Sequence, residues 1–303
     1  MSNTSQKCGF VSIIGAPNVG KSTLVNEFCE AKISIVSPKA QTTRSNIRGI
    51  SIVDNSQVIF IDTPGIFKIN KKLDNRLNRS IILTAKNSLE GVDYISFVVD
   101  AKRGIREDEE HIIKLLQNLD IKKILIINKV DLVRKESLLE LSLKLNELLD
   151  FGSSFMISAK TKHGVSDVMK FMCDVIPVHP WMYPEDEISD TPMRLLASEI
   201  TREKIFYNFD KEIPYDVFVE TESYEESESS VKINQAIYVK TESQKKIIIG
   251  NKGAAIKKTG EMSRKDLSRI IGKKVHLYLF VKVRENWMDN KDSYTSSGME
   301  FSK

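Results

Sequence analysis

The stretch "GAPNVGKST", residues 15–23, follows the short apolar run "GFVSII" and constrains the chain more than any other nine residues. It fits G-x-x-x-x-G-K-[ST] from Gly15 to Ser22, and the "TLVNEF" after it reads as a helix. Strand, glycine-rich turn and helix in that order aim backbone N–H groups around a phosphate chain, and the helix N-terminus adds partial positive charge. Lys21 then reaches the outer phosphates and the Ser22 hydroxyl is available to Mg²⁺. Ala16, Pro17, Asn18, Val19, Gly20 and Thr23 complete the cradle. Alone, the loop implies a nucleoside triphosphate and leaves its base open.

The surrounding pattern supplies a scaffold. "GFVSIIG", "QVIFIDT", "DYISFVVD", "KKILIINK" and "SSFMISA" are short, apolar and end at turn residues, as strands covered on both faces do. Between the last two, Leu138, Leu141, Leu145, Leu148 and Leu149 share one helical face. Strand and helix in alternation predict an α/β fold, a doubly wound and mostly parallel sheet, over residues 1–176.

Two strand ends then name the base and the metal. "DTPG" puts Asp62 where a carboxylate can organise the hydration shell of Mg²⁺, with Thr63 and Pro64 leading to Gly65, whose amide can approach a γ-phosphate. "NKVD" ends the strand "KILII". Asp131 can there accept from both N1–H and the 2-amino group of guanine, which adenine cannot offer, so a wrong base leaves the carboxylate unsatisfied. Lys129 would lie along the base, Asn128 would pin the loop, and Val130 links them. Ser158, Ala159 and Lys160, at the end of the next strand, would back the base with amides.

From Ile176 to Pro192 the alternation stops. "IPVHPWMYPEDEISDTP" holds four of the chain's eight prolines and an acidic cluster, which reads as a linker over 177–192. A different rhythm follows over 193–289: helix, two strands, helical stretches on either side of "GNKG", and a third strand. That is a smaller α+β module of the type II KH order. Residues 290–303 read as a flexible tail.

Charge divides along the chain. Between Lys240 and Lys274 lie eleven Lys or Arg against three Asp or Glu, so with a total of +4 the remainder is net acidic. This basic segment contains G-x-x-G, Gly250 to Gly253 with Asn251 and Lys252 inside it. Such a loop lets a nucleic-acid backbone approach protein backbone beside a groove for about four single-stranded nucleotides. Lys245, Lys246, Lys252, Lys257 and Lys258 can neutralise phosphates. Ile248, Ile249 and Ile256 would be groove floor or core. Single-stranded RNA is the expected ligand, and no DNA is expected.

Other classes are disfavoured. The polar "MSNTSQKCGF" and the absence of a run near 18 apolar residues predict a soluble intracellular protein. Cys8, Cys29 and Cys173 are odd in number and widely spaced, which suggests neither disulfides nor zinc.

In this order, the motifs over residues 9–175 resemble those of TRAFAC-class GTPases, and with the C-terminal module the likeness is to the bacterial members that carry a type II KH domain, over roughly 7–288. In that class a threonine after the first helix closes onto Mg²⁺ and the γ-phosphate; "KAQTTRSN" is the matching segment, with Thr43 favoured over Thr42. Ras-like members place a glutamine after DxxG, where this chain has Ile66. The chain thus looks like the hydrophobic-substituted subgroup with slow intrinsic hydrolysis. Asn18 matches an asparagine that in several relatives helps bind K⁺ near the β- and γ-phosphates; the alternative is that it only braces the loop. The catalytic set implied is Lys21, Thr43, Gly65 and Asn18. The resemblance further implies binding to 16S rRNA near its 3′ end, maturation of the small (30S) ribosomal subunit, and cytoplasmic residence with peripheral membrane association. Two rival readings are an RNA-binding module with a structural nucleotide site and a membrane-surface GTPase.

Overall fold

The computed structural model describes residues 5–69 and 73–302. The first four residues of the polar N-terminus and the last residue of the tail lie outside them. The chain divides into two compact units: residues 1–34, 43–190 and 302, and residues 35–42, 191–301 and 303.

The first unit runs β1 (Lys7–Ile14), α1 (Lys21–Phe28), β2 (Ile47–Val53), β3 (Ser56–Asp62), α2 (Arg76–Asn87), β4 (Tyr94–Asp100), α3 (Glu107–Gln117), β5 (Lys122–Asn128), α4 (Lys135–Leu148), β6 (Ser153–Met156) and α5 (Val165–Val175). Among the described residues the sheet has the order β2-β3-β1-β4-β5-β6. β2 pairs antiparallel with β3, and the other neighbours are parallel. Every residue of β3 and β4 is buried, which explains their unbroken apolar runs. The strand order reverses at β1, and in such sheets ligands bind outside the carboxyl ends beside that reversal. Asp62 lies level with Ile13, and Asp100 with Asn128, so the strand ends form one rim.

Two details depart from expectation. β2 carries no sequence signal of a buried strand, because as an edge strand it buries only part of its surface. On α4, Leu138 and Leu145 are buried whereas Leu148 is 44% exposed, so the leucine face is narrower than its spacing suggests.

The stretch expected as a linker is stitched to the first unit as far as Asp190. Gln57, fully buried on β3, accepts from the amides of Met182 (2.8 Å) and Tyr183 (3.1 Å) and donates to the Tyr183 carbonyl (2.8 Å). The Ile50 amide donates to the Ile188 carbonyl at 2.9 Å, and Arg48 pairs with Asp190.

The second unit contains α6 (Met193–Asn208), α7 (Ile213–Asp216), β7 (Phe218–Glu226), β8 (Ser230–Val239), α8 (Glu242–Ile249), α9 (Ala254–Ile271), β9 (Lys274–Val283) and α10 (Lys291–Thr295). Its sheet has the order β7-β8-β9, with β8 and β9 parallel. The segment expected as a flexible tail forms α10, with Tyr294 fully buried. Trp287, just before it, stacks on Phe218 and donates from Nε1 to the Asp216 carbonyl at 2.9 Å. Aromatic burial there supplies what the polar composition of 290–303 conceals.

Candidate functional site

The loop after β1 turns where side chains cannot be tolerated. A Cβ on Gly15 would lie 2.3 Å from the Val98 carbonyl oxygen, and Gly20, at φ +99°, leads into α1. Asn18 is also left-handed, at φ +65°. Lys21 is 6% exposed, and its Nζ donates to the Gly15 (3.1 Å) and Ala16 (3.0 Å) carbonyls, which aims the ammonium across the loop. Burial lowers its pKa to about 8, with Asp62 opposing the shift.

Asp62 is fully buried, and neither carboxylate oxygen completes a hydrogen bond. Burial pushes its pKa up, tempered by the nearby Ser22, Lys21, Ser34 and Thr43. The Ser22 and Thr43 hydroxyls stand 2.8 Å apart. Adjacent oxygens of an octahedron with metal distances of about 2.1 Å are separated by about 3 Å. An orphaned carboxylate beside two hydroxyls at that spacing fits Mg²⁺. The Thr42 hydroxyl is engaged elsewhere, 2.7 Å from both Ser37 Oγ and the Lys39 carbonyl.

Gly65 packs against the P-loop: a Cβ on it would meet Pro17 Cα at 2.7 Å. Thr63 donates from Oγ1 to the Ile13 carbonyl at 2.7 Å, and the Ile66 amide to the Gly15 carbonyl at 3.1 Å. Ile66 is fully buried. Its side chain therefore offers nothing to a water molecule.

Asn128 joins three loops. Its Nδ2 donates to the Val19 carbonyl (2.8 Å), and its Oδ1 accepts from the amides of Lys129 (2.8 Å) and Ala159 (3.0 Å). Lys129, at φ +65°, donates to the Asn18 carbonyl and to Asp100, each at 2.6 Å. Asp131 lies exposed in a short turn of helix, Val130–Leu132. Of the three residues expected to back a base, Ser158 spends its amide on the His163 carbonyl (3.0 Å) and Ala159 on Asn128, while Lys160 is exposed.

Two residues of the rim escaped sequence reasoning. Asp100 ends β4 and holds Lys129. Arg103 donates to the Pro17 carbonyl at 3.2 Å and pairs with Asp108 at 2.7 Å. The signal available for Asp100 was its place at the end of "DYISFVVD", level with Asn128.

In the second unit, Gly250 and Gly253 bracket a tight turn between α8 and α9. Both have positive φ, as does Lys252, and a Cβ on Gly250 would meet Ala255 Cβ at 2.6 Å. Lys246, Asn251, Lys252, Lys257 and Lys258 are exposed and Lys245 half-buried. Ile248 is fully buried core; Ile256 packs partly against that core, and Ile249 is half-buried. A groove between α9 and β9 is lined by Ile256, Gly260, Arg264, Leu277 and Leu279. Tyr278 and Phe280, half-exposed on edge strand β9, also border it and were not singled out in the sequence.

Comparison with known proteins bears on both units. Residues 10–129 match the family described as 50S ribosome-binding GTPase, and residues 212–288 match the KH domain family. GTPase Era of Bradyrhizobium diazoefficiens is 50% identical over 298 residues, 98% of this chain and 96% of that protein. The chain belongs to the Era family of GTPases. Era of Brucella suis is 46% identical over 98% of this chain and 95% of its own. A crystal structure of Era in complex with MgGDPNP and nucleotides 1506–1542 of 16S ribosomal RNA superposes with a TM-score of 0.91 at 36% identity, covering 97% of this chain and 99% of that one. An Aquifex aeolicus Era variant bound to GDP·AlF4⁻ superposes equally well. The chain is thus a GTPase with a C-terminal KH domain.

Proposed function

We propose that this GTPase is a nucleotide-driven switch whose KH domain binds single-stranded 16S rRNA near its 3′ end and acts in maturation of the 30S subunit. The supporting observation is the likeness, across both units, to the Era solved with MgGDPNP and 16S rRNA nucleotides. The description of the matched GTPase family names the 50S particle. The small-subunit reading takes precedence because the Era likeness spans the whole chain.

In this reading the amides of Gly15 through Thr23 and the Lys21 ammonium hold the phosphates. Ser22 and Thr43 hold Mg²⁺ directly and Asp62 holds it through water; the ion, when bound, neutralises charge on the β- and γ-phosphates. The Gly65 amide meets the γ-phosphate. Water attacks phosphorus, the bond to the β-phosphate oxygen breaks, and GDP and phosphate leave. Since Ile66 cannot orient that water, backbone groups, ions or a partner must do so, and turnover by the isolated protein is slow. Asn18 is proposed as a K⁺ ligand, placing positive charge where the transition state gathers negative charge. Asp131 selects guanine, Lys129 flanks it, and the backbone at Ala159 and Lys160 closes the pocket.

On the RNA side, Gly250–Gly253 admits the sugar-phosphate backbone and Lys245, Lys246, Lys252, Lys257 and Lys258 neutralise it, with Ile249 and Ile256 beneath. Cytoplasmic residence and peripheral membrane contact belong to the same proposal and rest on the family likeness alone. No helix among the described residues is long and apolar enough to cross a membrane. The test is the affinity for a 16S 3′-end fragment with a non-hydrolysable GTP analogue and with GDP: a switch requires a difference of about fivefold or more. Equal affinities would remove the switch.

A further inference from the structure

Within the first unit, the bend of the P-loop is held at three consecutive carbonyls by side chains from outside it. Asn128 and Lys129, on the loop after β5, hold those of Val19 and Asn18. The third, that of Pro17, accepts from Arg103 Nη1 at 3.2 Å, and Arg103 stands on a different loop, the one after β4. The first turn of α3 braces its guanidinium. Asp108 Oδ2 accepts from Nη2 at 2.7 Å, and the fully buried Glu109 places Oε1 3.8 Å from Nε. The other oxygen of Asp108 accepts from the Lys68 amide at 3.0 Å, three residues beyond Gly65. Gly65 itself packs on Pro17, where a Cβ would stand 2.7 Å from both the proline N and Cα.

An exposed ion pair between two mobile side chains contributes little. The Arg103 side chain is only 26% exposed, and it spends one donor on a main-chain carbonyl. Water could satisfy that carbonyl as well. What the guanidinium adds is direction, because its planar fork, fixed at Nη2 by Asp108, aims Nη1 at one place. The Pro17–Asn18 peptide is planar and trans, so holding the Pro17 carbonyl turns the Asn18 N–H the opposite way, away from Arg103, and also fixes Asn18 Cα. Asn18 keeps a φ of +65°, which a residue with a side chain adopts only at a cost and which therefore needs holding. This is the end of the loop that lies against Gly65; the other end, at Gly20 and Lys21, is carried by α1.

We propose that Arg103, braced by Asp108, is a positioning residue for GTP hydrolysis: by holding the Pro17–Asn18 peptide against Gly65 it sets the P-loop backbone at its γ-phosphate end. Arg103 acts through the backbone it holds and not on the nucleotide. Asp108 divides one carboxylate between that brace and the segment after Gly65, so the two walls of the γ-phosphate end are tied to the same turn of α3. The proposal rests on the reading above that residues 15–23 hold the phosphates and that Gly65 meets the γ-phosphate. Hydrolysis therefore depends on Arg103 more than the binding of GDP does.

The experiment measures the single-turnover rate of GTP hydrolysis with the full chain in saturating excess, and GDP affinity and thermal melting in parallel. Arg103→Met should lower the rate about tenfold, the loss of a hydrogen bond to a charged group, and leave GDP affinity within about twofold. Arg103→Lys, which reaches one partner at a time, should recover part of the rate. Asp108→Asn keeps an acceptor for the Lys68 amide and loosens the guanidinium; it should give a smaller fall, and in an Arg103→Met background it should add nothing further. Arg103→Met also deprives the buried Glu109 of its cation, so if that chain does not fold, Arg103→Met combined with Glu109→Gln should fold and show the same fall in rate. An unchanged rate, or a rate that falls only in step with GDP affinity and melting temperature, overturns the positioning role. If Lys21→Ala leaves GTP binding intact, residues 15–23 are not the phosphate site and the positioning role fails with that reading. If Lys21→Ala abolishes binding while Arg103→Met keeps its full rate, the positioning role alone fails.

Discussion

Asn128 donates from Nδ2 to the Val19 carbonyl oxygen 2.8 Å away, so the loop after β5 and the loop after β1 share one strut. A Cβ on Gly20 would come within 2.4 Å of the same Nδ2. Glycine and asparagine are therefore needed together. Asn128→Ala removes two buried hydrogen bonds and one part-buried one, and each buried partner left unsatisfied costs about 1–3 kcal/mol. GTP and GDP affinity should fall together by about 10- to 100-fold, measured by titration of a fluorescent nucleotide. A fall confined to GTP would place Asn128 at the γ-phosphate instead.

Asp131→Asn exchanges a double acceptor for a group that donates. Preference should move from GTP toward xanthosine triphosphate by about 100-fold or more in competition binding. Unaltered GTP preference, or ATP competing as well as GTP in the unmodified protein, would refute the guanine assignment.

The buried Lys21 ammonium gives nucleotide binding a pH signature. Its pKa in the free protein is about 8, below the usual lysine value. Because the folded form holds fewer protons than the unfolded one between pH 8 and the ordinary lysine range, the nucleotide-free protein gains stability as pH rises through that window. Phosphates favour the charged form, so GTP binding at pH 8 should take up about half a proton, read by calorimetry in buffers of different ionisation enthalpy. Affinity should fall above pH 8 by no more than about tenfold per unit. Binding without proton uptake at pH 8 would contradict this. Lys21→Ala should lose GTP binding or turnover while the KH domain keeps its fold.

Gly253 has no atom within 4 Å of a would-be Cβ, yet its φ is +79°. Gly253→Asp therefore strains the backbone by about 1–2 kcal/mol without a clash and puts a negative charge where RNA phosphate should pass. RNA affinity should drop at least tenfold in filter binding, with GTP affinity unchanged. A loss of both would mean that the substitution had unfolded more than its loop.

Exchanging Lys252 and Lys258 for Glu should flatten the salt dependence of RNA binding by about 0.7 for each phosphate no longer neutralised. Flotation with anionic vesicles distinguishes the rival use of this surface: if membrane binding falls as steeply as RNA binding, the basic face serves lipid as well.

Much of the site was legible because each motif sits at the end of a strand whose apolar run can be read locally. Gly15, Asp62 and Asn128 all end or follow such runs, and the parallel register then brings them to one rim. The roles of Asp100 and Arg103 were not legible, since their partners Lys129 and Pro17 lie 29 and 86 residues away; the run "DYISFVVD" marks Asp100 only as a strand end, and nothing local marks Arg103. The place of Ile35 was hidden for the same reason: the short apolar stretch Ile33 to Val36 does not say what covers it, and the cover of Ile35 comes from Leu196, Ala197 and Ile200 of α6. The fold of 290–302 depended on Trp287 and Tyr294 finding cover, which composition does not register.

The packing of residues 177–190 along β2 and β3 has a practical outcome for anyone dissecting the chain. Cut after Ile176, the first unit would bare the backbone of Ile50 and strip Gln57 of its bonds to Met182 and Tyr183. An open, apolar strand margin of that type recruits other copies of itself. A fragment ending at Asp190 should stay monomeric in light scattering where one ending at Ile176 clumps.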